Sequence, residues 1–344
     1  FQQALDIFVE YGDRYSQAST YHQLGSVAQE LREYEQARAH YQQALDIYVE
    51  YGDRYEQAGT YHQLGRVAQE LREYEQARAH FQQALDIFVE YGDRYSQART
   101  YHQLGMVAQA LREYEQARAH FQQALDIFVE YGDRYSQAST YHQLGSVAQE
   151  LREYEQARAH YQQALDIKVE YGDRYSQADT YHNLGAVAQA LREYEQARAH
   201  FQQALDIKVE YGDRYSQAST YHQLGRVAQE LREYEQARAH FQQALDIFVE
   251  YDDRYRQAST YCGLGVVAEE LEDYEQARYH FQKSLSIFVE FKDDYSAEFA
   301  LRGFARLYQT TEDDSLLTEV AQSLNATVEE VTQLFNQLNS DNAA

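Results

Sequence analysis

The sequence has no proline and no tryptophan, and it has one cysteine among its 344 residues. Without proline nothing removes backbone hydrogen bonds from a helix interior, so this absence favours a nearly all-helical chain. The lone Cys262 excludes an internal disulfide, which favours a reducing compartment and a cytoplasmic location. No apolar run reaches the length needed to cross a membrane, and no signal peptide is visible.

Basic residues are also scarce, since 30 Lys and Arg stand against 56 Asp and Glu and the net charge is −26. Such a charge repels phosphate backbones and anionic lipid surfaces. We therefore expect neither nucleic acid nor a membrane as a partner. The plainest reason for the acidity is that a large net charge keeps a protein soluble and monomeric.

Most of the chain consists of a 40-residue repeat. The stretch that begins at Tyr21 returns from Tyr61 and then at every further 40 residues, up to Tyr261. We divide the chain into a partial repeat at residues 1–15, seven repeats at 16–295 and a tail at 296–344. Stacked repeats share one continuous core, in which each unit touches its neighbours. Because the chain opens in mid-repeat without methionine, we expect it to be a fragment that continues N-terminally.

Each repeat predicts two antiparallel helices joined by a short turn. In the first copy, helix A spans about residues 16–31 and helix B about residues 35–51, and both have helical apolar spacing. Gly52 suits the left-handed position after a helix, and Asp53 is a candidate N-cap for the next one. In the sixth copy Asp252 replaces the glycine, at a small expected cost. The core-facing side of helix A is predicted to carry Tyr21, Leu24, Gly25, Ala28 and Leu31.

The tail after residue 296 predicts a helical cap. Apolar spacing favours helices at residues 297–308, 316–324 and 328–338. Thr327 and Glu330 fit a capping box at the start of the last of them. Acidic residues dominate this segment, and a terminal repeat requires such a polar outer face.

The repeat resembles the tetratricopeptide repeat in the spacing of its aromatic, apolar and small residues, which are Tyr21, Leu24, Gly25, Ala28, Tyr34, Ala37, Tyr41 and Ala44. Its lengthened helix B is similar to the long repeats of kinesin light chains, LGN/Pins polarity proteins and bacterial STAND signalling ATPases. The resemblance covers residues 1 to about 310. It implies an all-α fold, an alpha-alpha superhelix of antiparallel helix pairs in which helix A lines a concave, peptide-binding groove.

The six full copies differ from one another at eight positions, which in the first copy are Ser16, Ser19, Gln23, Ser26, Glu30, Tyr41, Tyr48 and Gly52. The first five fall on one stripe of helix A about 80° wide, opposite its core-facing side. We call these five positions, in every copy, the variable stripe. Neutral drift is an alternative explanation, but surface positions such as Gln29 and Gln43 do not change among the copies. The pattern therefore favours a selected contact surface.

The resemblance places partner binding on this variable stripe. We predict a contact set taken from its positions in the successive copies: Ser19, Ser26, Glu30, Arg66, Glu70, Arg99, Gln103, Met106, Ala110, Gln143, Asp179, Asn183, Ala186, Ala190, Arg226 and Glu230. Met106 suits an apolar guest, and the arginines suit acidic groups of an extended segment. Asn183 matches the asparagine that clamps the bound main chain in the related long repeats. Glutamine at the other copies offers the same amide on a longer arm.

Other chemistry is weakly supported. The thirteen histidines recur once per helix without a second ligand at i+4, so we interpret them as structural and expect neither metal nor cofactor. No glycine-rich phosphate loop and no isolated acid–base pocket is visible, so we predict no catalytic residues. Lys168 and Lys208 replace an aromatic residue. They fit either side chains that extend to a helix end or a local contact site.

The preferred interpretation is a non-enzymatic module that binds a protein or peptide segment. By resemblance it is the sensor or scaffold of a larger bacterial signalling protein, with an effector or ATPase domain upstream. The alternative is a structural spacer or a self-assembling repeat array without a dedicated ligand.

Overall fold

A computed structural model describes residues 1–341, and the regular structure within that range is entirely α-helical. The chain divides into two compact units, Phe1–Tyr171 and Gly172–Ala344. The helices of the first unit are α1 (Gln2–Glu10), α2 (Arg14–Glu30), α3 (Tyr34–Glu50), α4 (Arg54–Glu70), α5 (Tyr74–Glu90), α6 (Arg94–Ala110), α7 (Tyr114–Glu130), α8 (Arg134–Glu150) and α9 (Tyr154–Glu170). Those of the second unit are α10 (Arg174–Ala190), α11 (Tyr194–Glu210), α12 (Arg214–Glu230), α13 (Tyr234–Glu250), α14 (Arg254–Glu270), α15 (Tyr274–Glu290), α16 (Asp294–Thr311), α17 (Ser315–Leu324) and α18 (Val328–Asp341).

Within each unit the helices pair antiparallel and the pairs stack in chain order, so the predicted all-α solenoid of helix pairs is confirmed. Helix A of a repeat is the even-numbered helix and helix B the odd-numbered one that follows it. None of the helices described is both long and apolar enough to span a lipid bilayer.

The helix boundaries follow from the caps. The carboxylate of Asp53 accepts a hydrogen bond from the backbone N–H of Glu56 at 3.1 Å, which confirms it as an N-cap. Helix A therefore starts at Arg14 and its equivalents, two residues before the predicted start. It also ends earlier, at Glu30. Leu31 is the C-cap residue of α2 and is 63% exposed, so its predicted place on the core-facing side was wrong in the first copy. Its equivalents Leu71 and Leu111 do pack against the core clusters.

Left-handed residues end both helices of the repeat. Gly52 has φ +67°, as predicted, and Asp252 takes the same conformation at φ 53°. The turn between helices A and B uses an arginine instead, for example Arg32 at φ 61°, which no residue-type signal predicts. There the backbone N–H of Glu33 donates to the carbonyl of Ala28 at 2.8 Å, so the closing hydrogen bond holds a conformation that glycine adopts at lower cost.

The core lies between helix A, helix B and the following helix A. A typical cluster contains Phe81, Leu85, Leu104 and Val107, all at most 5% exposed. The ring of helix B lies flat against a glycine of helix A. A Cβ placed on Gly105 would lie 2.6 Å from the ring of Phe121, so only glycine fits at this position.

Polar side chains also tie each repeat to the next. The buried Gln57 amide donates to the carbonyl of Tyr48 at 3.0 Å and so satisfies the end of the preceding helix. On the surface, the Tyr55 hydroxyl donates to the Asp93 carboxylate at 2.8 Å. The guanidinium of Arg54 lies 3.2 Å from the carboxylate of Glu90, and an exposed pair of this kind contributes roughly 0–1 kcal/mol.

The three helices of the tail are each longer than predicted, by up to three residues at either end. The capping box is confirmed, because Thr327 N–H donates to Glu330 at 2.8 Å and Glu330 N–H to Thr327 Oγ1 at 3.2 Å. Phe304, Val320 and Phe335, all at most 1% exposed, extend the core cluster of α15 through these helices. The apolar surface of α15 is thus covered.

Candidate functional site

Every predicted contact residue lies on helix A, and none is buried. The exposed ones are Ser19, Glu30, Arg66, Glu70, Arg99, Ala110, Asp179, Ala190, Arg226 and Glu230. The half-buried ones are Ser26, Gln103, Met106, Gln143, Asn183 and Ala186. The variable stripe is therefore accessible in both units, as a contact surface requires.

In the first unit, three recesses lie along this stripe. One of about 280 Å³ is lined by Ser26, Glu30, Arg66 and Glu70. A second of about 160 Å³ has Arg99 at its rim and Phe88 beneath. A third of about 240 Å³ brings together Arg66, Arg99, Gln103 and the ring of Phe128.

Other predicted members of the site do not enter these recesses. Met106 and Ala110 line none of the three. Met106 packs its side chain against the buried cluster that contains Phe121 and Leu125. Met106, which we predicted to contact an apolar group of the partner, therefore also packs against the core.

Two of the eight variable positions change together for a structural reason. The Ser26 hydroxyl lies 3.1 Å from the hydroxyl of Tyr41, which is fully buried. In the fourth copy Ser146 pairs in the same way with Tyr161, where burial raises the pKa of the phenol and the serine hydroxyl opposes that rise. The remaining four copies carry phenylalanine in helix B and no serine opposite it, namely at Phe81, Phe121, Phe201 and Phe241. The Tyr41 hydroxyl donates to the invariant Gln29 at 3.1 Å, so it accepts from Ser26, a donor that a phenylalanine does not need.

The glutamates at the last position of the stripe accept hydrogen bonds from tyrosines of the preceding repeat. Tyr34 donates to the Glu70 carboxylate at 3.2 Å, and Tyr194 donates to Glu230 at 2.9 Å. Where alanine stands instead, at Ala110, this acceptor is missing. These substitutions therefore alter the surface and an inter-repeat hydrogen bond together.

Lys208 forms a local contact site, which was one of the two alternatives. Its side chain is 6% exposed, and its Nζ lies 3.2 Å from Thr220 Oγ1 and 3.8 Å from the Asp179 carboxylate. Desolvation lowers the pKa of the Lys208 amine, while Asp179 and Asp213 oppose that shift. Asp179 on the variable stripe thus has a structural partner within the second unit. Lys168 is half-buried.

The histidines of helix A link successive repeats. Thr100 Oγ1 donates to the Ser96 carbonyl at 2.8 Å, so it accepts from the Nδ1–H of His62, 3.1 Å away. Burial, and then the positive charges of Arg99 and Arg66, lower the pKa of His62 to about 3. In residues 1–341 no three His, Cys, Asp or Glu side chains converge as metal ligands would.

The lone cysteine lies at the same helix-A position as these histidines, in the divergent seventh copy. The Cys262 thiol is half-buried, and desolvation raises its pKa to about 11. A thiol with a raised pKa is a weak nucleophile at neutral pH. Cys262 therefore behaves as a packing residue.

Stacked helix pairs of constant length, with an accessible stripe on every first helix, define the class of helical repeat proteins whose fold serves protein–protein interaction. The chain belongs to the tetratricopeptide repeat family. That family matches residues 1–50, 56–130, 96–169, 136–210, 176–250 and 216–290. No curated protein matched the sequence.

Several solved structures share this fold. The apo quorum sensor NprR from B. thuringiensis is similar with a TM-score of 0.65 and 13% identity, over 98% of this chain and 93% of that one. BtubC (BKLC) from P. vanneervenii has a TM-score of 0.55 and 22% identity, over 61% of this chain and 89% of that one. The STAND protein PH0952 from Pyrococcus horikoshii, which has a tetratricopeptide repeat sensor, has a TM-score of 0.55 and 16% identity. This match covers 94% of the present chain and 47% of PH0952.

Proposed function

We propose that this chain is a non-enzymatic interaction module that binds an extended protein segment along the variable stripe. One observation carries the proposal. Differences among near-identical copies concentrate on a stripe that is exposed in both units, and in the first unit this stripe contains three recesses. The fold presents this face on every helix A, so successive copies can contact successive residues of one segment.

The chemistry of the recesses suits a peptide main chain flanked by side chains. Gln63 and Gln103 line recesses with their amides, and an amide offers both a donor and an acceptor to a backbone. Phe88 and Phe128 supply apolar floors. Arg66 and Arg99 at the rims favour acidic groups on the segment, and the half-buried Met106 offers a smaller apolar contact outside the recesses.

The setting of the module is part of the same proposal. Proteins with the same fold include a quorum sensor and the sensor part of a STAND protein, by the names of NprR and PH0952. We infer that this chain is likewise the sensor or scaffold of a larger bacterial signalling protein, with an effector or ATPase domain upstream. Segment binding would then alter that domain.

A spacer or self-assembling array is the second candidate, and one observation favours it. The paired changes of Ser26 with Tyr41 and of Asp179 with Lys208 explain part of the variation without any partner. A spacer should tolerate any solvated substitution along the stripe.

Selection of binders from a peptide library against the full chain separates the two. We expect selected peptides to bind the native chain, and the pair Gln63→Ala and Gln103→Ala to weaken their binding at least about tenfold. The matched control changes the exposed Gln76 and Gln116 of helix B to alanine. If no peptide is selected, or if both pairs bind alike, the spacer is favoured.

A further inference from the structure

Two arginines meet at one recess of the first unit. Arg66 and Arg99 both line the recess of about 240 Å³ whose floor contains Phe128. Across the part of the chain that the structure describes, neither forms an ion pair, and the Arg66 guanidinium donates only to Gln63 at 3.4 Å. The arginine that starts a helix A is paired instead, as Arg54 is with Glu90. In a chain of net charge −26 an uncompensated basic pair is unusual.

His62 lines the same recess and is 7% exposed. Burial, and then the charges of Arg99 and Arg66, lower its pKa, which is consistent with a positive potential there. The acidic groups nearby are Glu56, which shares a recess with Arg99, and Glu30 and Glu70, which share one with Arg66. None of them is within ion-pair distance of either arginine in the described residues.

We propose that the recess between Arg66 and Arg99 binds a compact oxyanion with two negative charges, presented by the bound segment as a phosphoryl group or as two neighbouring carboxylates. Insofar as the oxyanion belongs to a protein segment, the inference rests on the proposed function. A guanidinium binds such groups through paired hydrogen bonds, and two guanidinia match a double charge. Gln103 and Ser139 line the same recess and add donors.

The chain contains its own control for this site. Arg226 occupies in the sixth copy the position of Arg66 in the second, but Ser259 stands where the third copy has Arg99. Arg256 lies close by, and its guanidinium already donates to Ser219 at 2.6 Å. At these two positions the second unit therefore has an arginine and a serine where the first has two arginines.

Calorimetric titration of the full chain with inorganic phosphate near pH 7.5 tests the site. We expect one saturable site, weakened about tenfold or more by Arg66→Gln or Arg99→Gln and unchanged by Arg214→Gln, a control in the second unit whose side chain pairs with Glu250. Ser259→Arg should add a second site. Phosphate should also raise the pKa of His62, followed by NMR, because a bound anion offsets the arginine charges. Equal binding by the native chain and both glutamine variants overturns the inference, as does the absence of saturable binding.

A second measurement separates this inference from the proposed function. Peptides selected against the native chain are prepared in three forms at one site: with a phosphoserine, with two adjacent glutamates, and with two adjacent serines as the uncharged control. Preference for either charged form that is lost in Arg66→Gln supports the site, and the preferred form identifies the source of the charge. If phosphate binds but no peptide does, the proposed function fails and the anion site stands. If peptides bind with no charge preference, the function stands and the anion site fails.

Discussion

The third and fifth copies of the repeat use the same two helix positions in opposite ways. In the third, Arg99 stands at the rim of a recess whose floor is the ring of Phe128, 2% exposed. In the fifth, Asp179 occupies the position of Arg99, and Lys208 occupies that of Phe128 with its ammonium 3.8 Å from the Asp179 carboxylate. The charge at the rim position is reversed, and the neutral ring at the floor position is replaced by a cation.

This difference shows how the floor decides what the rim can do. An aromatic floor needs no compensating charge, so the rim arginine remains able to contact a partner. A buried ammonium is costly without an opposite charge, so the rim acid at Asp179 is committed to Lys208. Variable positions of the stripe are thus of two kinds, those able to contact a partner and those paired with a buried group of the chain itself. The structure is needed to distinguish them.

Among these tests, giving the third copy the lysine of the fifth, by Phe128→Lys, should have the largest effect on stability. Phe128→Lys loses a buried ring and places a second cation beside Arg99, which we expect to lower the free energy of unfolding by about 3–5 kcal/mol. Adding Arg99→Asp should restore part of that loss. Chemical denaturation of both variants measures it. Equal stability of the single and double variants would show that rim and floor are independent.

Acidification should act next, through the buried histidines. His62 has its pKa lowered to about 3 and His182 to about 4, so both are neutral when folded. The unfolded chain takes up their protons as the pH falls below about 6.5, and stability is lost from there down to the folded pKa values. Each histidine should cost about 1.4 kcal/mol per pH unit within that window.

The difference in pH dependence between the native chain and His62→Gln measures this contribution. The variant should lose less stability between pH 6.5 and pH 4 than the native chain does. Burial also lowers the pKa of His80, which is only half-buried, so His80→Gln serves as the control with a smaller difference. Parallel pH curves for the native chain and His62→Gln would contradict the expected titration.

The reverse exchange, Lys208→Phe, should have a smaller effect of opposite sign. The Lys208 ammonium is buried while the Asp179 carboxylate is 70% exposed, so the variant removes a costly buried charge and leaves an acid in water. We therefore expect it to stabilise the chain by about 1–3 kcal/mol. The stability gained should grow as the pH falls from 10.5, because the depressed pKa of Lys208 makes the native chain lose stability in that direction. Thermal unfolding at two pH values checks both statements. A destabilised variant would show that the ammonium is a favourable part of the core.

Much of the architecture could be predicted from the sequence because it repeats. The helix pairs, the cap at Asp53 and the left-handed Gly52 each carry a residue-type signal that recurs in almost every copy. The left-handed Arg32 could not be predicted, since the local backbone hydrogen bonds at the helix end, and not the side chain, hold its conformation. The early end of helix A at Glu30 follows from the same turn.

The exposure of the stripe was also predictable, because it lies opposite the core-facing residues of helix A. Its division into partner-facing and structurally paired positions was not. Ser26 with Tyr41 leaves a signal in the sequence, since serine and tyrosine occur in the same two copies. The pairing of Lys208 with Asp179 leaves no such signal. In the fourth copy Lys168 occurs with Ser139 at the position of Asp179, so no acid consistently accompanies the lysine.

Removing the Asp179 carboxylate alone should have the smallest effect on stability. It also tests directly whether Asp179 is a structural partner of Lys208 or a residue that can contact a partner protein. Asp179 is 70% exposed, so Asp179→Ser should cost at most about 1 kcal/mol in the free energy of unfolding. It should also lower the pKa of Lys208 further, because Asp179 is the largest influence that raises it. NMR titration of the lysine amine reads that shift directly, with Asp206→Ser on the exposed face of helix B as control. If the pKa of Lys208 does not move, Asp179 belongs with Arg99 among the residues that remain able to contact a partner.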